Sequence, residues 1–431
     1  MLARVSTIVV ALWCLGGLAG CEKTTHETID KWLTTSKGPG KLLKAFANED
    51  LDPELSAHAG VNLIKKQRDP DFRATLEEMS GGRREQVIVA LGPSLWNVAR
   101  VEDPKLLPTH EQTAAKDALV LIRKWAADAQ RKAIDGYLLD WYAVRSYEAR
   151  ASAGAYTGAT VLRMIGPPAG KRMIAVANSV IAEPGQEKTK NKIHDEVLLG
   201  LAVSASPEAV KHVLDIVGLD RGDESLPGRA MAQLYTAYVE PNRLFDVVPP
   251  DPLIPNLPQI VAIAKDPLRS GAVINNAIAL VRAVGGRTCV EQLVPLIPTP
   301  HREAKFKYVA ATYALRCGGA RAIGEVLRGL PDPGAYEQSE VAGTILAEIA
   351  KMSPREEVQA ALRPLLDEKS AVVAWVGIEA LAAIKSVEDA PKIAALSSRT
   401  DRLTGFGGKT SKGDPILGQR AKELAQQLSA R

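Results

Sequence analysis

A pattern of two apolar helices around a short break recurs four times in the last third of the chain. The four copies are INNAIALVRAVGGRTCVEQLVPLIP (274–298), KYVAATYALRCGGARAIGEVLRGLP (307–331), VAGTILAEIAKMSPREEVQAALRPLLD (341–367) and VVAWVGIEALAAIKSVEDAPKIAAL (372–396). Their breaks fall at Gly286, Gly319, Ser353 and Ser386, in steps of roughly 33, 34 and 33 residues. A repeat of this length is typical of a chain built from stacked helical units.

This periodicity restricts the fold, because a single pair of short helices is too small to bury its apolar face. Pairs that stack on their neighbours form one continuous core. No β-branched run with a period of two lies between the helices. Aromatic residues make up only 5% of the chain, and Ala, Leu and Val dominate, which favours helices over strands. The sequence therefore predicts an all-α fold, an α-solenoid of stacked helix pairs.

The pattern "aL..vGG...v..L..lip" in these copies resembles HEAT and HEAT-like (armadillo-type) repeats. The resemblance covers most of residues 28 to 397, strongly after 271 and more loosely before it. A non-repeating helical domain is the alternative. The resemblance implies a superhelix whose long surface binds protein partners, because curved arrays of this kind offer few deep pockets.

The N-terminus has the pattern of a cleaved leader that ends at a cysteine. An arginine precedes an apolar run over 5–18, which is shorter than the roughly 20 residues that span a bilayer. LAGC (18–21) resembles the lipobox of bacterial lipoproteins. The resemblance implies that Cys21 is acylated and anchors an exported protein, with the outer membrane favoured because Glu22 follows. An ordinary signal peptide and an uncleaved anchor are the alternatives.

Composition shifts divide the rest of the chain. We expect a leader (1–20), a short acylated tether (21–27), degenerate N-terminal repeats (28–240), a proline-rich loop (241–258), C-terminal repeats (259–397), a glycine-rich loop (398–413) and a capping helix (414–431). The tether is so short that the folded body should lie close to the membrane. Asp414 is expected to cap the last helix, whose apolar face is formed by Leu417, Ala421, Leu424 and Leu428.

Two cysteines remain in the body of the chain. Cys289 is expected to open the second helix of one repeat and Cys317 to close the first helix of the next. Both therefore lie near the same edge of the array. A disulfide across two repeats and a pair of buried thiols are both compatible with this placement, and export into an oxidising compartment would permit the bond.

An aromatic-rich stretch, GYLLDWYAVRSYEARASAGAY (136–156), is the candidate partner-binding segment. Tyr137 and Trp141 are four residues apart and share a helix face, and Tyr142 follows directly. Packing in the core between repeats is one interpretation of these three side chains. An exposed patch that anchors a protein interface is the other.

Several function classes find no support in the sequence. The formal charge of +4, about +3 without the leader, is too small and too scattered for nucleic acid. GFGGKT (405–410) lacks the spacing of a nucleotide-binding loop, because Leu403 stands where a glycine is needed. The six histidines lack metal-ligand spacing, and no nucleophile motif is present. We therefore expect no metal, cofactor, nucleotide or catalytic residue.

Together these features predict a non-catalytic scaffold or adaptor of the bacterial cell envelope, anchored through Cys21 and bound to a protein partner of unknown identity. The step from fold to role is an analogy at the level of the fold. A HEAT-like enzyme of the lyase type, with a site assembled across repeats, is one alternative. A structural or assembly component of an envelope complex is the other.

Overall fold

The computed structural model describes residues 23–103, 106–181, 193–218, 225–241, 246–299, 305–330, 342–404 and 413–430. Within these ranges every regular element is helical, and an isolated antiparallel bridge joins Arg402 to Ile416. The predicted all-α fold of stacked helix pairs is confirmed. Among the described helices, none combines the length and the apolar character that a membrane-spanning helix needs. The chain divides into two compact units, Met1–Val161 and Leu162–Arg431.

The first unit consists of two layers of helices. The odd-numbered helices pack side by side in one layer and the even-numbered helices α2, α4 and α6 pack in the other. The helices are α1 (His26–Trp32), α2 (Gly38–Ala47), α3 (Pro53–Lys65), α4 (Asp69–Glu78), α5 (Gly81–Ala99), α6 (His110–Arg123), α7 (Asp128–Tyr142) and α8 (Tyr147–Ala151). The next helix, α9 (Gly158–Ile165), includes the boundary.

Local sequence sets the starts of several of these helices. Thr25 and Thr109 each accept a hydrogen bond from the backbone three residues on, and the third residue returns one, so α1 and α6 begin with capping boxes. Asp52 caps α3, whose first residue is Pro53. Proline suits this position because its missing N–H has no partner in the first turn of a helix.

The second unit repeats the same two-layer arrangement. Each odd-numbered helix from α11 to α23 packs on the next, and the even-numbered helices lie against them. The helices are α10 (Pro167–Ile181), α11 (Asp195–Val203), α12 (Pro207–Gly218), α13 (Ser225–Tyr238), α14 (Leu257–Lys265), α15 (Gly271–Val284), α16 (Gly286–Leu293), α17 (Lys305–Gly318), α18 (Ile323–Arg328), α19 (Ala347–Ala350), α20 (Arg355–Leu362), α21 (Ala371–Ala383), α22 (Ala390–Ala395) and α23 (Leu417–Ser429).

The repeat breaks predicted from the sequence coincide with unusual backbone conformations. Gly286 and Gly319 have φ values of 56° and 57°, and Lys385 has a φ of 60°. The remaining break contains a cis peptide bond between Ser353 and Pro354. A residue with positive φ ends one helix and turns the chain into the next. Glycine adopts this conformation without a steric penalty.

Cys289 in α16 and Cys317 in α17 are joined by a disulfide, with their Cα atoms 6.1 Å apart. The bond crosses from the second helix of one pair to the first helix of the next, and Cys289 is fully buried. A salt bridge with two hydrogen bonds links two other neighbouring helices of the odd layer. Arg316 of α17 donates two hydrogen bonds to Glu348 of α19.

The proline-rich segment and the C-terminal helix differ from expectation in detail, and residues 405–412 of the predicted glycine-rich loop (398–413) lie outside the described residues. Within the proline-rich segment, 251–256 forms a 3₁₀ helix, and the side-chain amide of Asn256 donates to the carbonyls of Pro207 and Pro252. The C-terminal helix α23 begins at Leu417, and its N-cap is Ile416 and not the predicted Asp414, because Ile416 is held in extended conformation by its bridge to Arg402. The predicted apolar face of α23 is buried, as expected.

Candidate functional site

A cavity of about 750 Å³ opens in the even layer of the first unit. It lies between α4 and α6 and is closed at one end by the chain from 149 to 156, and we call it the α4–α6 groove. Its walls are mostly apolar and include Ile64, Phe72, Leu107, Ala114, Ala118 and Leu121. A largely apolar concavity of this volume with a few polar groups is the usual form of a ligand or peptide site.

A buried ion pair fixes one wall of the groove. Lys116 in α6 is 0% exposed, and its Nζ lies 2.5 Å from Oδ1 of the adjacent Asp117. The same ammonium group donates to the carbonyls of Ala153 and Tyr156, at 2.7 and 3.0 Å. All three of its hydrogens can therefore be satisfied. Burial lowers the pKa of Lys116, and the charge and hydrogen bond of Asp117 oppose that shift.

The carboxylate of Asp117 holds the same loop from the other side. It accepts hydrogen bonds from the backbone N–H groups of Ala155 and Tyr156, at 2.7 and 3.3 Å. Gly154 lies between these contacts with a φ of 86°, and a Cβ atom there would be 2.3 Å from Oδ2 of Asp117. Only glycine fits this position. The loop therefore forms a wall that is ordered before any partner arrives.

The core tyrosine Tyr142 supports this wall from beneath. Its hydroxyl donates to the carbonyl of Tyr156 at 2.8 Å, and its ring lies 5.6 Å from the Lys116 ammonium. Burial raises the pKa of Tyr142, with the negative charge of Asp117 adding to the shift. The phenol is therefore a permanent hydrogen-bond donor.

The structure corrects the predicted aromatic patch. Trp141 and Tyr142 are 1% and 0% exposed, so the interpretation of these two residues as a partner-binding surface is wrong. The guanidinium of Arg150 donates to the Trp141 carbonyl and lies 5.4 Å from its ring, within the core. Tyr137 is half-buried, and its ring stacks on Trp96 at a centroid distance of 5.4 Å.

A second, more open depression in the odd layer contains a cluster that sequence spacing did not reveal. Nδ1 of His26 lies 2.6 Å from Nδ1 of His58, whose Nε2 lies 2.7 Å from Asp30. Burial raises the pKa of the Asp30 carboxyl, but hydrogen bonds from Asn62 and His58 outweigh it, and the net pKa is below its usual value. This cluster joins α1 to α3. Within the described ranges, no group of three or more His, Cys, Asp or Glu side chains is arranged to hold a metal ion.

Other predicted site residues are placed as follows. Cys21 lies outside the described residues. Cys289 and Cys317 are bonded in the second unit. Sequence reasoning missed the Lys116–Asp117 ion pair, although a lysine inside the apolar run AAKDALVLI was a signal that this position has a buried partner.

No family model matches the chain, and no curated protein matches it in sequence. Solved structures of helical proteins align with most of it at low similarity. An engineered protein is 15% identical with a TM-score of 0.27, over 91% of this chain and 99% of its own. Human deoxyhypusine hydroxylase in complex with glycerol is 16% identical with a TM-score of 0.24, over 80% of this chain and 97% of its own.

Importin beta, crystallised in an ammonium sulfate condition, is 13% identical with a TM-score of 0.32. That alignment covers 98% of this chain and 59% of importin beta. These similarities are low both in sequence and in superposition. The assignment of the fold to HEAT-like helix pairs therefore depends on the packing of the chain's own helices.

Proposed function

We propose that the chain is a lipid-anchored, non-catalytic scaffold of the bacterial cell envelope that binds a protein partner in the α4–α6 groove. The observation that carries this proposal is the groove itself, an apolar concavity of about 750 Å³ with a wall that is ordered in advance. A site that is organised before binding loses less conformational entropy when the partner arrives.

Two polar side chains of the groove, Asp117 and Thr113, are engaged with the protein itself, which favours binding over chemistry at these groups. Both oxygens of Asp117 are engaged by backbone N–H groups and by Lys116. The hydroxyl of Thr113 donates to the carbonyl of Thr109 within the same helix. Side chains committed to the protein's own backbone are poorly placed to transfer protons to a substrate.

The disulfide supports the exported part of the proposal. A bond between Cys289 and Cys317 persists in an oxidising compartment and is rare in the cytosol. Acylation of Cys21 would place two or three chains in the bilayer, which is enough for stable anchoring. The outer membrane is favoured because Glu22 follows the cysteine.

The anchor is tested by fractionation of cells that express the Cys21→Ala variant. We expect the wild-type protein in the membrane fraction and the variant in the soluble fraction. A variant that stays with the membrane would contradict acylation of Cys21.

The partner site is tested by photo-crosslinking in intact cells. The residue p-benzoyl-phenylalanine is placed at Leu107, which lines the groove and is 70% exposed, and at Leu268 as a control with 53% exposure in the second unit. We expect one discrete protein adduct from position 107 and none from 268. Equal labelling from both positions, or none from 107, would refute the groove as the partner site.

A further inference from the structure

We propose that the α4–α6 groove binds a segment of the partner that carries a large apolar side chain next to a lysine or an arginine. This inference rests on the proposed function and adds the chemistry of the partner. Three features support it: the apolar lining of the groove, the exposed leucines before α6 and a carboxylate without an ion-pair partner.

The apolar side chain is required by the lining. Phe72 of α4 and Leu121 of α6 both line the groove, together with Ala114 and Ala118, which lie one turn apart on α6. The lining combines small and large apolar side chains, and the cavity of about 750 Å³ has room for a side chain from outside. Water in such a space makes few hydrogen bonds, so an entering apolar group is favoured by about 25 cal/mol for each Å² that it buries.

The leucines at the mouth favour a chain segment over a small molecule. Leu106 and Leu107 are 61% and 70% exposed and follow one another on the segment that leads into α6. A small molecule inside the cavity would leave Leu106 exposed, because Leu106 does not line the cavity. A protein segment that enters past Leu107 can extend over the neighbouring Leu106, and exposed apolar surface is typical of protein interfaces.

The basic residue is required by Asp69. Three charged side chains other than histidine line the groove, and two of them have partners of opposite sign. Arg73 donates to Glu77, and Asp117 pairs with Lys116. The carboxylate of Asp69 lies half-buried in the wall with no such partner among the described residues. Asp69 is in the first turn of α4, where the helix N-terminus favours a carboxylate. The groove therefore has one carboxylate without an ion-pair partner beside its apolar lining.

The test is fluorescence anisotropy with the mature full chain purified in detergent. The probes are three labelled Gly-Ser dodecapeptides whose central residues are Lys-Phe-Lys, Glu-Phe-Glu or Lys-Gly-Lys. We expect the Lys-Phe-Lys probe to bind at least tenfold more tightly than either of the others. The ratio of the affinities for Lys-Phe-Lys and Glu-Phe-Glu should fall at 1 M salt, because the Debye length there is about 3 Å and charges are screened.

Two classes of variant assign the binding to this groove. Asp69→Asn should lower the affinity for the Lys-Phe-Lys probe about fivefold, as expected for the loss of one partly exposed ion pair. Ala155→Trp and Ala149→Trp both place a large side chain at the exposed rim and should abolish binding. Glu78→Gln, at the end of α4 and away from the lining, is the matched charge control and should bind as the wild type does.

The outcomes separate this inference from the proposed function. Equal binding of Lys-Phe-Lys and Glu-Phe-Glu, or no binding of any probe, overturns the inference, even where crosslinking at position 107 yields a partner. A lipid or other amphiphile that copurifies with the wild type but not with Ala155→Trp, detected by native mass spectrometry, also overturns it. The unfolding curves of both tryptophan variants should match that of the wild type. Loss of binding then results from the blocked groove and not from unfolding.

Discussion

Removal of the disulfide should destabilise the second unit by an amount that follows from its position. The variant is Cys289→Ala/Cys317→Ala, in which alanine avoids a buried hydroxyl at the fully buried Cys289. The bonded residues are 28 positions apart in the sequence. The bond therefore closes a loop of that length in the unfolded chain and reduces its conformational freedom.

The magnitude can be worked from the loop length. With a separation of 28 residues, the chain-entropy relation gives a loss of about 12 cal/mol/K, or about 3.6 kcal/mol at 25 °C. For a unit of this size, each kcal/mol corresponds to about 2 °C, so Tm should fall by about 7 °C. Loss of the buried Cys289 sulfur and the partly buried Cys317 sulfur adds a smaller packing term in the same direction.

The assay is urea unfolding followed by circular dichroism, together with calorimetry. Each single variant also loses the bond, so Cys289→Ala, Cys317→Ala and the double variant should agree within about 1 kcal/mol instead of adding. Wild-type protein that is reduced while unfolded should match them. A double variant within about 1 kcal/mol of the wild type, or additive single effects, would refute the reasoning.

Three further predictions concern the first unit. Trp141→Ala should cost about 3 to 5 kcal/mol of unfolding free energy, because the indole is buried; unchanged stability with lost crosslinking would restore the interface interpretation. Lys116→Met should cost about 3 to 5 kcal/mol, since it leaves Asp117 without its buried partner; urea unfolding at neutral pH measures this, and a neutral result would contradict the ion pair. The folded-state pKa of Asp30 is lowered, so its stabilisation is complete above the usual value of about 4 and is lost as the pH falls further. Asp30→Asn should accordingly flatten the fall of Tm below pH 4, and an unchanged slope would count against the cluster.

The part of the second unit after residue 271 could be predicted from the sequence, because its signals are local. Ser270 and Ser370 precede apolar runs and cap α15 and α21 through the backbone N–H three residues on. The break at Gly286 uses a backbone conformation that glycine tolerates. The start of α23 was predicted wrongly because the bridge between Ile416 and Arg402 joins residues that are not close in sequence, and local patterns do not encode such contacts.

The groove could not be predicted, because its parts are distant in sequence. Lys116 meets carbonyl groups 37 and 40 residues later in the chain. Helical spacing shows that Tyr137 and Trp141 share a helix face. It does not show whether other side chains cover that face. In the structure, Trp141 is covered and Tyr137 is partly exposed beside Trp96. The exposed or buried state of a helix face depends on neighbouring layers, and a single sequence does not specify them.

The groove is built wholly from residues between Ile64 and Tyr156, within the first unit. Helix pairs in the second unit contact chiefly their immediate neighbours, so a pair can be gained or lost there without disturbing the groove. Under the proposed function, partner recognition therefore depends on the first unit alone. Over evolutionary time, we expect the number of pairs after α9 to vary freely, while selection on Lys116, Asp117 and Gly154 keeps the groove unchanged.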